Sequence, residues 1–269
     1  MKRGWMLALA AGALLWSEST LADTREREAT KARMTAGRAL FEQKCASVAG
    51  EKIYRKVENV EGLLLMKVRP PAGDAQWSNR DWPGAAFARE TTGDSYITSF
   101  LGFEYASNPA GRDDPITPNN RGYINTDRRS GGLPGYRWVE VFDEKDGQRF
   151  RYGLIYKPRP TSKIGHIDAI LDKAPSPALT PPRYGVTYED HVIPEERYLG
   201  VASSTVKVLD LQTQEVLGEM IRYAWSPGAP SRVNPSPWLT AYRCPDHATG
   251  TSGATRKFVD QVLIPAKER

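Results

Sequence analysis

The sequence predicts an α+β domain, a mainly antiparallel β-sheet with an N-terminal and a C-terminal helix. Three observations lead to this. Residues 25–45 are rich in Ala, Arg, Glu and Lys and hold no Pro. Residues 136–225 contain alternating apolar and polar runs separated by turn residues. Near the end, Phe258, Val259, Val262 and Leu263 fall on one helical stripe, with Ser252 as a candidate cap and Pro265 just beyond.

Before the first helix, Met1-Lys2-Arg3 leads into a short apolar run that ends near Trp16, and Thr20-Leu21-Ala22 follows. A basic start, a brief hydrophobic segment and small residues before a cut are the plan of an export signal. The apolar run is shorter than the ~20 residues a membrane span needs, and no later segment is apolar enough to span a bilayer. The expected organisation is therefore a signal peptide over 1–22 and one mature domain over 23–269, located in the periplasm or secreted.

In the first helix Met34, Phe41, Cys45 and Val48 mark one apolar face, with Leu40 beside them, and Gly50 is a natural stop. Gly37 is a poor helix former within it. Residues 52–57 and 63–69 then read as two strands of a hairpin around 58–62. From about 72 to 134 the chain is dense in Gly, Pro, Asn, Asp, Arg and Trp and reads as a long irregular region, with only 95–103 strand-like. A stretch of this kind inside a domain is often a functional surface.

Residues 136–142 and 150–156 flank a Gly-containing turn and predict a hairpin. After a Pro-rich connector at 174–182, residues 184–188, 201–209 and 215–225 predict an antiparallel meander.

The full chain has 37 basic and 32 acidic residues, a formal charge of +5. Cutting after Ala22 removes Lys2, Arg3 and Glu18 and leaves a mildly basic protein. Such an excess suits an anionic envelope partner. The basic residues are dispersed, with nothing beyond the small Asp127-Arg128-Arg129 cluster, so a nucleic-acid partner is not expected. The two cysteines, Cys45 and Cys244, form a disulfide if the chain is exported; the alternative is two separate buried thiols. A bridge over so long a loop stabilises by ~5 kcal/mol at most.

Motifs for chemistry are sparse. Residues 36–45 look like the opening of a c-type cytochrome, but Val48 and Ala49 stand where the second Cys and the His belong, which excludes haem attachment. No nucleophile elbow or phosphate loop is present, and no cofactor is expected. Of His166, His191 and His247, the middle one lies in an acidic stretch. On a strand Glu189 and His191 share a face, so they are the candidate catalytic pair; an ordinary ion pair is the alternative. Cys244 and His247 have the spacing of half a metal site whose other half is missing. In the 72–134 region Trp77, Trp82 and Phe87 lie near Arg80, and Trp77, Trp82 and Arg80 are the candidate binding residues. The alternative is that these aromatics plug the sheet edge.

Three blocks carry a resemblance: CASVAGEKIY at 45–54, EDHVIPEE at 189–196 through RYAW at 222–225, and PWLTAYRCPDH at 237–247. On these the chain resembles an uncharacterised family of exported proteins from Gram-negative bacteria. The resemblance implies export and brings no activity. The expected function is a non-catalytic envelope protein that binds its partner through the 72–134 region. An envelope hydrolase built on His191 and nearby carboxylates, or a component of a secretion or conjugation assembly, are the alternatives.

Overall fold

Strand-forming sequence dominates the middle of the chain and assembles into one large, mostly antiparallel sheet, within a mixed α/β fold that has a few helices. The computed structural model describes residues 5–106, 121–128, 131–143, 145–161, 166–245 and 251–267, with side chains from Asp23 onward. In chain order the elements are α1 (Trp5–Ser47), β1 (Gly50–Ile53), β2 (Val57–Val60), β3 (Gly62–Leu65), α2 (Asp74–Ser78), α3 (Gly93–Leu101), β4 (Phe103–Ala106) and β5 (Arg121–Asn125). There follow β6 (Trp138–Phe142), β7 (Arg149–Pro158), β8 (Ile167–Pro175), β9 (Tyr184–His191), α4 (Pro194–Tyr198), β10 (Val201–Asp210), β11 (Glu215–Trp225), β12 (Tyr242–Cys244), α5 (Ala254–Val262) and β13 (Leu263–Pro265). Short 3-10 helices lie at Pro83–Phe87 and Pro237–Thr240. No helix among the described residues is long and apolar enough to cross a membrane.

The sheet runs β1-β11-β10-β9-β3-β6-β7-β8, with β12 beside β11. The predicted meander is present: β9, β10 and β11 pair antiparallel, and Gln214 closes the β10–β11 turn with a left-handed backbone. The predicted hairpin is β6 and β7, with Val139 opposite Tyr152 and Gly147 supplying the positive φ its turn requires.

The N-terminal hairpin expected from 52–57 and 63–69 does not form. β1 pairs with β11, whereas β3 lies parallel between β9 and β6. The reason is burial. Leu63, Leu64 and Leu65 are all buried, and a continuous apolar run belongs in a strand covered on both faces rather than in an exposed local hairpin. β2, which spans the end of the predicted first strand and most of the predicted 58–62 turn, pairs in part with the distant β13.

Two further expectations change. Helices are not confined to the two ends, because α2, α3 and α4 lie between α1 and α5. The region expected to be irregular holds α2, α3, β4 and β5, and the strand expected at 95–103 is α3 followed by β4. Tyr96, Ile97, Phe100 and Leu101 alternate poorly but lie on one helical stripe, and all four are buried.

One face of the sheet carries the main core. The 3-10 helix at Pro83–Phe87 lies on β9, β10 and β11, α3 on β6 and β7, and α5 on β1, β10 and β11. Phe258, Val259 and Val262 of α5 enter a cluster with Val206, Val208, Leu217 and Met220. The same helix buries Thr255, Arg256 and Lys257. The Thr255 amide and hydroxyl each donate to Glu90 at 3.1 Å, and Tyr136 donates to the Leu263 carbonyl at 2.6 Å.

On the opposite face α1 packs near the β11 end. There Leu40 and Phe41 of α1 pack on a small separate cluster of Val201, Tyr223 and Trp225. Gly37 explains itself here: a Cβ would stand 2.2 Å from the Leu199 carbonyl oxygen, so the glycine lets α1 lie close against the turn before β10. The expected disulfide is present, joining Cys45 to Cys244 with Cα atoms 5.6 Å apart across 199 positions.

Candidate functional site

Where α1, the segment after α2, the α4–β10 turn and the loop leaving β11 meet, they enclose a cavity of about 280 Å³. Each wall has a local cause. Gly200 turns the chain out of α4 at φ +76, its carbonyl accepts the Ser226 amide at 2.9 Å, and a Cβ there would meet the Ser226 oxygen at 2.2 Å. Prolines stiffen the loop beyond β11: Pro227, Pro230 and Pro237 all line the cavity. The buried Trp238 is fixed by its indole N–H, which donates to the Asn79 carbonyl at 2.8 Å.

Arg197 binds these walls together from beneath. It is buried, lies 5.6 Å from the Trp238 ring, and donates to the carbonyls of His191 at 2.9 Å and Pro83 at 3.3 Å. Burial pushes its guanidinium down to about 10, against the nearby charges of Asp81, Asp190 and Glu196. It stays cationic at neutral pH, and its Nη2 acts as a scaffold by bridging two backbone carbonyls.

Facing the cavity are two other arginines. Arg33 of α1 lies 5.9 Å from the ring of the exposed Tyr198, and Arg80 lies 3.5 Å from Asp81. Asn79 shapes that loop, its side-chain oxygen accepting the Asp81 amide at 3.0 Å. The site therefore offers two guanidiniums and one carboxylate, with an aromatic ring on the rim and a second in the floor. Such a set can hold an anionic group and cover a flat apolar body.

Of the sequence-predicted binding residues, Arg80 lines this cavity. Trp77 and Trp82 do not; both are half-buried and pack against the main core, which Phe87 enters fully. Tyr198 and Arg33 went unremarked in the sequence, and Trp238 entered only within the 237–247 block that carries the resemblance. The one signal that points to this wall is the run of four prolines between 227 and 237, which marks a stiff loop ending at a tryptophan.

His191 and Glu189 lie elsewhere. His191 pairs with Ser203, and Ser203 with Tyr223, which places it on the α1 side of the sheet. Its Nε2 is 3.0 Å from the Thr205 hydroxyl, and its Nδ1 is 3.9 Å from Glu189, an ion-pair contact and longer than a hydrogen bond. Both flank the strand surface, outside the cavity described above. His247 lies outside the described residues. Among the described residues no three of His, Cys, Asp and Glu gather to hold a metal.

A second concentration of charge lies inside the core. The Arg69 guanidinium is sandwiched between Phe87 at 4.1 Å and Tyr188 at 4.0 Å and donates to Asp190 at 3.2 and 3.3 Å. Asp190 also accepts the Ser204 hydroxyl at 2.5 Å. Burial pushes Glu90 up to about 7, although Arg69, Arg222 and Thr255 all favour its charged form. Arg69, Glu90, Ser204 and Arg222 are buried, and Phe87 of the Pro83–Phe87 helix lies over Arg69.

No protein-family model, curated protein or solved structure matches the chain.

Proposed function

We propose that the chain is an exported protein of the bacterial envelope that binds a small anionic ligand, a carboxylate or phosphate on a flat apolar body, in the cavity bounded by Arg33 and Arg80. The observation that carries this reading is two arginines from distant segments facing one cavity beside Tyr198 and Trp238. Proline-stiffened walls favour it further, because a rigid site loses little freedom on binding. The leader-like start and mild basic excess of the sequence agree with an anionic partner in the envelope. Part of the wall comes from the 72–134 region, the surface expected to carry binding.

Calorimetry with benzoate and phenyl phosphate tests it, with neutral benzamide as control. The anions bind and benzamide does not, and Arg33→Ala with Arg80→Ala weakens them by about tenfold or more. Equal binding of the neutral analogue, or no loss in the double variant, overturns the reading.

An envelope hydrolase has one observation in its favour: the Thr205 hydroxyl, the His191 ring and the Glu189 carboxylate follow one another in the order of nucleophile, base and orienting group. Thr205 is buried beneath the strand surface, which weakens its claim as a nucleophile. A panel of aryl esters turned over by the protein and spared by His191→Ala would exclude this reading of the residue.

A further inference from the structure

Three walls of the cavity belong to the body of the fold, and the fourth, α1, is attached differently. Apart from side chains that reach it singly, α1 rests on the small cluster of Val201, Tyr223 and Trp225 through Leu40 and Phe41, both only half-buried. Phe41 stacks on Trp225 at 6.3 Å, and Lys44 reaches Glu196 at 3.2 Å. Between Asp23 and Ala36 nearly every residue is exposed.

What fixes the helix direction is a pair of attachments at its C-terminal end. One is the backbone, which turns at Gly50 with φ +146 and enters β1, where Gly50 pairs with Ile221. The other is the Cys45–Cys244 disulfide, anchored on β12 beside Tyr223. A rod held at two points has a direction, whereas a rod held at one can swivel. Both cysteines are half-buried rather than enclosed, and Ala46 beside Cys45 is exposed. Once the covalent tie is gone, α1 keeps the half-buried Leu40 and Phe41, the close approach at Gly37 and the single contacts of Arg33 and Lys44, a modest apolar area for a helix of this length.

We propose that α1 is a redox-controlled strap on the cavity: reduction of Cys45–Cys244 by a dithiol frees the helix to swing about 48–49 and carries Arg33 away from the site. In the exchange the dithiol gives up two electrons and two protons and closes to its own disulfide, while Cys45 and Cys244 take them up as two thiols. The consequence for a ligand rests on the anion-binding reading above; the movement of the helix does not.

Hydrogen exchange of the folded, oxidised protein before and after treatment with dithiothreitol tests the strap. Amides over 33–47 exchange about tenfold faster or more after reduction, while β9, β10 and β11 keep their protection. Unchanged exchange over 33–47 overturns the proposal, because packing alone then holds the helix. Loss of protection in β9–β11 together with α1 also overturns it, since the bond is then a staple of the whole fold. Benzoate titration of the same two samples separates the two readings: helix release with unchanged benzoate affinity supports the strap and counts against Arg33 as a ligand contact.

Discussion

The two faces of the sheet are secured by different means. On one, α3, α5 and the Pro83–Phe87 helix bury a continuous cluster whose members run from Val60 to Leu263, and ionic groups such as Arg69 with Asp190 are taken inside. On the other, α1 covers three buried residues and relies on a disulfide. The contrast shows when a covalent bond matters. A large apolar cluster holds its helices chiefly through buried area, whereas a helix that buries little apolar surface gains more from a tie that restricts the alternatives.

The strongest way to break the first face is Phe258→Ala. Its ring is fully buried at the centre of the main cluster, so truncation costs about 3–5 kcal/mol, read as a lower midpoint in urea unfolding.

The ionic part of that face is sharpened by pH. Glu90 holds its proton up to about 7 in the fold, against an ordinary value of 4.5, because burial disfavours the charged form. The folded state therefore binds more protons than the unfolded chain between these values. The stability this contributes is complete below 4.5 and is lost as pH rises through about 7, a change of roughly 3 kcal/mol. Glu90→Gln removes the titrating group, and urea midpoints measured from pH 5 to pH 8 then lose this downward slope. A slope that persists in the variant places its origin in another group.

The smallest effect belongs to the second face. Phe41→Ala in the oxidised protein costs about 1 kcal/mol, since the side chain is half-buried and the disulfide still fixes the helix. A penalty as large as that of Phe258→Ala would erase the contrast between the faces.

Much of this architecture is legible in short stretches of sequence. The β6–β7 hairpin and the β9–β11 meander follow from local alternation and turn residues, and α5 from its apolar stripe. The α3 segment was misread because four apolar residues in nine positions fit two periodicities, and the contact that selects one lies on distant strands. The candidate site was half legible. Arg80 stood out as a charge among loop aromatics, but Trp238, which receives that loop, is 159 positions from Asn79 in the chain. Trp77 and Trp82 had the right composition for a platform and are drawn instead onto the core they adjoin.

By itself the sequence determined the elements whose hydrogen bonds close within a helix or with the next strand along the chain, and the pairing of its only two cysteines once an oxidising compartment is assumed. The tertiary structure alone decided that β3 lies parallel at the centre of the sheet, that Gly37 and Gly200 are close-approach points, and that Arg33 and Arg80 face one cavity. The physical reason is range. Local propensity acts through neighbours, whereas burial and charge act on whatever the finished fold brings near, and the sequence does not order residues by that distance.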